Sequence, residues 1–166
     1  MAITALKGTP VQIIGELPAV GATAPDFTLT GADLGDVTST ELRGKRVVLN
    51  IFPSIDTGVC ASSVRRFNEL ASGLENTAVV CASADLPFAL GRFCGTEGIE
   101  NVVTASSFRS DFGADFGLTL GDSPMKGLLA RAIVVLDEKG AVLHSEIVPE
   151  IATEPNYDAA VAALSN

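Results

Sequence analysis

The chain has one histidine and three cysteines, and no two of the cysteines stand in Cys-x-x-Cys spacing. Both a structural zinc site and a dithiol oxidoreductase use that spacing, and the lone His144 has no carboxylate or cysteine at metal-ligand distance along the chain. No metal site is expected. Positive charge is scarce too: 11 Lys and Arg face 20 Asp and Glu, for a net charge of −9, and nowhere do basic residues cluster. Such a chain repels phosphate backbones and anionic membranes, so neither nucleic acid nor a membrane surface is an expected partner. Hydrophobic residues make up 47% of the chain, yet no apolar run approaches the roughly 20 residues that span a bilayer. The first 18 residues (MAITALKGTPVQIIGELP) lack a basic segment followed by an apolar stretch and a small-residue cleavage site, which points to the cytoplasm. Linkers, repeats and low-complexity tracts are missing, so residues 1–166 are expected to form one domain, long enough to bury a core without staples.

What the chain does have is a cysteine at a strand-to-helix junction. Residues 46–53 (RVVLNIFP) are almost continuously apolar, as a parallel strand covered on both faces requires, and Pro53 ends the ladder by removing a donor. Beyond Cys60 the period changes: Val64, Phe67, Leu70, Ala71 and Leu74 follow helical spacing, so the first helical turn contains or adjoins Cys60. Free N–H groups and the positive end of the helix dipole favour a thiolate there. Cys60, Cys81 and Cys94 cannot all pair within one chain, which fits a reducing compartment and at least one working thiol better than a disulfide framework.

The remaining pattern supplies a fold. Pieces around residues 11–14 and 27–30 read as an N-terminal hairpin and an entry loop. Thr77–Ser83 (TAVVCAS) reads as a second buried strand, and Asp85-Leu86-Pro87 as a cap and first-turn proline for a helix over 87–95. Residues 101–105 form a third short strand, and SSFRSDFGADFG allows a short helix or turns. Residues 128–137 and 141–147 flank Glu138-Lys139-Gly140 as an antiparallel hairpin, and 155–164 is helical. Strand-helix-strand-helix followed by a hairpin and a last helix is the order of the thioredoxin fold. The expected class is therefore α/β: a thioredoxin-like fold with an N-terminal β-hairpin extension and a central mixed sheet flanked by helices. Sites in such sheets lie beyond the carboxyl ends of the strands, which is where Cys60 stands.

Other residues frame the chemistry. Arg131 interrupts an apolar run, and a buried guanidinium needs an anion. Either it faces the Cys60 sulfur, or it lies at a strand mouth and reaches solvent or a carboxylate such as Glu150. Thr57 has the position of a helix N-cap. Cys81, inside a central strand with no cation near it in sequence, reads as an inert core thiol, and Cys94 on its own reads as a small buried hydrophobe beside Phe93 and Phe88.

Pro53-x-x-x-Thr57-x-x-Cys60 resembles the active-site signature of peroxiredoxins. VGATAPDFTL, LNIFPSIDT, DLPFALGRFCG and GLLARAIVVLDEKG extend the resemblance over almost the whole chain, toward the bacterial atypical two-cysteine thiol peroxidases. The resemblance implies a peroxidatic role for Cys60, a resolving role for Cys94 and peroxide-positioning roles for Thr57, Arg131 and Pro53. It further implies reduction of hydrogen peroxide and organic hydroperoxides through a Cys60–Cys94 disulfide, with thioredoxin as reductant, a homodimeric state and no metal or organic cofactor. The chain departs from that subfamily at Gly58, where a proline is usual. The apolar lining of the site is expected from Phe52, Ile55 and Leu128. Disulfide geometry demands Cα atoms about 4.4–6.8 Å apart, so local unwinding at both cysteines is expected during resolution. Two rivals remain: a thioredoxin-type disulfide oxidoreductase, which the single cysteine at the site disfavours, and a non-catalytic redox switch that senses peroxide.

Overall fold

The computed structural model describes residues 3–165. Ile3–Leu6 (β1) and Thr9–Ile14 (β2) form an antiparallel hairpin. Lys7 and Gly8 close it at φ of 51° and 82°, the two left-handed residues that a two-residue hairpin turn of this type requires. Thr28–Gly31 (β3), Asp36–Thr38 (β4) and the short helix Ser39–Leu42 (α1) lead into Arg46–Ile51 (β5) and Gly58–Ala71 (α2). Thr77–Ser83 (β6), Pro87–Glu97 (α3) and Val103–Ser106 (β7) follow, then Phe112–Asp115 (α4) and Thr119–Leu120 (β8). Ala132–Leu136 (β9), Val142–Ile147 (β10) and Tyr157–Ala163 (α5) complete the order.

Seven strands form a mixed sheet in the order β10-β9-β5-β6-β7-β3-β4, and β1, β2 and β8 form a smaller one. β5, β6 and β7 run parallel, while β9 is antiparallel to β5 and β3 is antiparallel to β7. Strand alternation divides the core into two layers. Val47, Leu49 and Ile51 face the hairpin and α4 side, where they join Val11, Ile13, Phe112 and Phe116. Val48 and Phe52 face the other way, against Val64 and Phe67 of α2, Leu90 of α3 and Ala160 of α5. Full burial of each such large side chain stabilises by about 1.5–3 kcal/mol, which makes this periodicity the main determinant of the layers. At one edge β4 has only three residues, and at the other the β10 register shifts between Val142 and His144. None of the helices among the described residues is long and apolar enough to cross a membrane.

The α/β thioredoxin-like architecture, the N-terminal hairpin and the buried strand Thr77–Ser83 agree with the sequence reading. Four details differ. The β-like piece around 27–30 is a strand, Thr28–Gly31, but it pairs with β4 and β7 in the main sheet, and the hairpin partner of 11–14 is the strand Ile3–Leu6. The apolar run 128–137 becomes strand only from Ala132, because the N–H groups of Gly127 and Ala130 donate to the carbonyls of Leu120 and Leu118 and fold that segment back along β8. The α3 N-cap is Leu86, with no side-chain cap bond, because the Asp85 carboxylate is engaged elsewhere. Finally, Phe88, expected to pack beside Cys94, is 66% exposed.

Candidate active site

The site starts where β5 stops. The N–H of Phe52 still donates to the Ala82 carbonyl (3.1 Å), but Pro53 has none to give, and the chain turns through Ser54, Ile55 and Asp56 into α2. Thr57 is extended (φ −98°, ψ 147°) and caps the helix: its Oγ1 accepts from the Cys60 N–H (3.4 Å) and donates to the Ser54 carbonyl (3.1 Å). Cys60 therefore lies in the first turn, among N–H groups that have no intrahelical acceptor. Its side chain is wholly buried.

Arg131, immediately before β9, is 2% exposed. Its Nε donates to the Ile151 carbonyl (2.7 Å) and its Nη2 donates to the Cys60 sulfur (3.1 Å). Its Nη1 is buried without a partner among the described residues. Of the two sequence expectations for this arginine, the sulfur-facing one is correct. Glu150 is not its partner, because that carboxylate accepts from the backbone N–H groups of Gly8 (2.8 Å), Ala152 (3.0 Å) and Lys7 (3.1 Å). Those bonds, Ala152 and Gly8 foremost, hold the Glu150 carboxyl below its usual range against the opposing effect of burial. They also fasten the β1–β2 turn to the loop that presents Ile151.

A cavity of about 220 Å³ opens against Arg131 and Thr57, walled by Leu6, Pro53, Val59, Met125 and Ile151. The apolar lining exists, but not from Phe52, Ile55 and Leu128. Phe52 and Ile55 are packed into the α2–α3 side of the core, and the walls come instead from the hairpin and the loops around Met125 and Ile151. No sequence signal could place Leu6 or Met125 there, since both arrive by tertiary packing.

Pro53, Thr57, Cys60 and Arg131 thus converge, and Cys94 does not join them. Its sulfur is on α3, 3.5 Å from the Thr104 hydroxyl of β7, and borders a separate cleft of about 440 Å³ with Gly31, Val37 and Val102. All three thiols are free. Burial pushes the Cys81 thiol up to about 12 despite a hydrogen bond from Asn50, which keeps it protonated and inert. Asn50 and Asp85 have structural roles that the sequence reading did not assign. Asn50, buried in β5, donates to Ser63 Oγ (3.2 Å) and Cys81 Sγ (3.6 Å). Asp85 accepts from Ser54, Ile55 and Ser83; the Ser83-x-Asp85 spacing is the signal that could have suggested a side-chain-bonded turn rather than a cap. His144 Nε2 lies 3.9 Å from Glu146, and among the described residues there is no group of three or more side chains suited to a metal.

Comparison with known proteins matches the family model described as Redoxin to residues 19–161. The chain belongs to the Redoxin family. Its relatives include a thiol peroxidase of Mycobacterium tuberculosis, 60% identical over 164 residues and covering 99% of each chain. A thiol peroxidase of Corynebacterium glutamicum is 58% identical over 165 residues, covering 99% of this chain and all of that protein. Among solved structures, a peroxiredoxin-like protein from Aquifex aeolicus superposes with a TM-score of 0.94 at 38% identity, covering 98% of this chain and 95% of the other. In this redoxin the matched segment contains the converging Pro53, Thr57, Cys60 and Arg131, and Cys94 as well.

Proposed function

We propose that this chain is a thiol peroxidase that reduces hydrogen peroxide and organic hydroperoxides at Cys60. The observation that carries the reading is the buried contact between the Arg131 guanidinium and the Cys60 sulfur at 3.1 Å. A buried guanidinium needs an anion, its other partner is a neutral carbonyl, and the sulfur it donates to is the contacting group that can supply that charge during the reaction. The unpartnered Nη1 then supplies a donor that neither Cys60 nor Ile151 uses.

A hydroperoxide in the 220 Å³ cavity lies against Arg131 and Thr57, the two residues that bond to Cys60 from its guanidinium and cap sides. The thiolate attacks one peroxide oxygen and forms the S–O bond. The O–O bond breaks, and the departing alkoxide or hydroxide takes a proton to leave as alcohol or water. Charge accumulates on the departing oxygen, where pre-aimed donors act mostly in the transition state. Pro53 excludes a competing backbone donor and forms part of the wall. The Cys60 sulfenic acid condenses with the Cys94 thiol, releasing water and forming the intramolecular disulfide. Thioredoxin then returns both sulfurs to thiols. The protein works in the cytoplasm as a homodimer with no bound cofactor. The resemblance of the sequence to atypical two-cysteine peroxidases supports these last assignments.

The test is steady-state peroxide consumption coupled to thioredoxin, thioredoxin reductase and NADPH, followed by peptide mass spectrometry. Turnover is expected, with a Cys60–Cys94 linked peptide and free Cys81. Cys60→Ser should abolish it, and Arg131→Met should lower it by about 10²–10³, the usual cost of removing a transition-state donor. Consumption of one equivalent of peroxide and no more would mark a sensor instead, and a Cys60–Cys81 peptide would overturn the resolving role of Cys94.

A further inference from the structure

Cys60 has to satisfy two opposed demands under the reading above, on which this inference rests. To attack peroxide, its helical turn must stay against Arg131. To reach Cys94, whose sulfur lies against Thr104, that turn must leave. Whatever braces the turn therefore sets the balance between the two steps.

The brace is visible outside the constellation. Asp85, at the β6–α3 junction, holds the turn before α2 with both carboxylate oxygens: Oδ1 accepts from Ser54 Oγ (2.7 Å) and Oδ2 accepts from the Ile55 N–H (2.7 Å). Ser54 in turn organises the rest of the turn. Its Oγ accepts from the Asp56 N–H (3.2 Å), and its carbonyl accepts from both the N–H (3.2 Å) and the hydroxyl (3.1 Å) of Thr57. Thr57 caps Cys60. Asp85 is itself rooted in the sheet. Ser83 Oγ donates to its Oδ2 (2.5 Å) and accepts from its N–H (3.2 Å), while Ser106 Oγ of β7 donates to its carbonyl. One carboxylate thus connects the rigid β6–β7 ladder to the cap of the Cys60 helix through two charge-assisted bonds. Gly58, the next residue after the braced turn, has open space where a Cβ would stand, with no heavy atom within 4 Å beyond its chain neighbours and its own helix backbone.

We propose that Asp85 is a positioning residue that holds the 54–57 turn closed. It thereby favours attack on peroxide, and it slows the transfer of the Cys60 sulfenate to Cys94. The longer the sulfenate stays in its pocket, the greater its exposure to a second hydroperoxide, which oxidises Cys–SOH to the sulfinic acid as its own O–O bond breaks to give alcohol or water. Asp85 thus sets the susceptibility of the enzyme to irreversible oxidation.

Single-turnover oxidation by hydrogen peroxide tests this in the full chain, with rapid quenching by an alkylating reagent and mass spectrometry of Cys60. The chain contains no tryptophan to report the steps by fluorescence. Asp85→Ala removes both charge-assisted bonds to the turn and is expected to slow sulfenate formation by about tenfold or more, and to leave disulfide formation as fast as in the parent or faster. The sulfinate fraction at a given peroxide concentration should fall severalfold. Asp85→Asn, which retains an acceptor for Ile55 while the Ser54 hydroxyl can reverse its bond, should lie between the parent and Asp85→Ala. Where Asp85→Ala does not fold, Ser54→Ala removes one of the two bonds and must shift the same ratio in the same direction. Parallel loss of both steps, or a sulfinate fraction that is unchanged or higher, overturns the brace. Failure of the parent protein to turn over peroxide or to form the Cys60–Cys94 disulfide would instead refute the underlying reading, and the brace with it.

Discussion

Glu150 illustrates how a single side chain stabilises a site without touching the reacting atoms. Three backbone N–H groups converge on its carboxylate, two from the Lys7-Gly8 turn and one from Ala152, and the adjacent Ile151 carbonyl accepts from Arg131. These bonds lower the folded-state pKa of the carboxyl from 4.5, so its contribution to stability is complete above the ordinary carboxylate value and disappears as pH falls through the lowered folded value. Glu150→Gln is therefore expected to unfold at a lower temperature than the parent at neutral pH, with the gap closing in acid; a gap that does not change with pH would refute the assignment. At this scale the sequence was legible wherever chemistry and chain position coincide. Pro53, Thr57 and Cys60 lie within eight consecutive residues, and Arg131 stands out as a charge in an apolar run. Asp85 and Asn50 were not legible, because a polar residue in a strand or at its end gives no sign of which distant donor it will meet.

Among the elements, α2 is the one whose start matters most. Its first residue, Gly58, follows an extended Thr57 (ψ 147°), the conformation a residue before proline must adopt, and a proline at this helix position forfeits only an N–H that has no intrahelical acceptor. Gly58→Pro should thus stabilise the fold by about 0.4–1 kcal/mol through the unfolded chain, raising the melting temperature by about 1–4 °C in a thermal unfolding experiment. A lower melting temperature would show that glycine is needed there. α2 is joined to the Cys94 helix by Arg65, whose Nε donates to Glu97 (2.9 Å) and whose guanidinium lies 5.6 Å from the centre of the Phe93 ring, and to α5 by the edge-on pair of Phe67 and Tyr157. α2, α3, α5 and the buried parallel strands were read nearly in place, since each has a continuous or periodic apolar signature. β4, β8 and α1 were not, because elements of two to four residues carry no period and exist only through the partners that pair with them.

Across the whole molecule, stability is concentrated where both sheet faces are covered. β5, β6 and β9 lie between the two core layers, whereas the starts and ends of α2 and α3 are held by caps and a few side-chain bonds. Oxidation to the disulfide is expected to lower hydrogen-exchange protection at residues 58–66 and 90–96 and to leave the three central strands unchanged. Identical protection in the two redox states would refute local unwinding. The rim of the sheet has a consequence of its own. One border is the three-residue β4 beginning with Asp36, and the other is the irregular β10 bearing His144 and Glu146. Neither border of the seven-stranded sheet offers an incoming chain a long, straight row of open amides, so this sheet is a poor template along which neighbouring molecules could zip into fibrils.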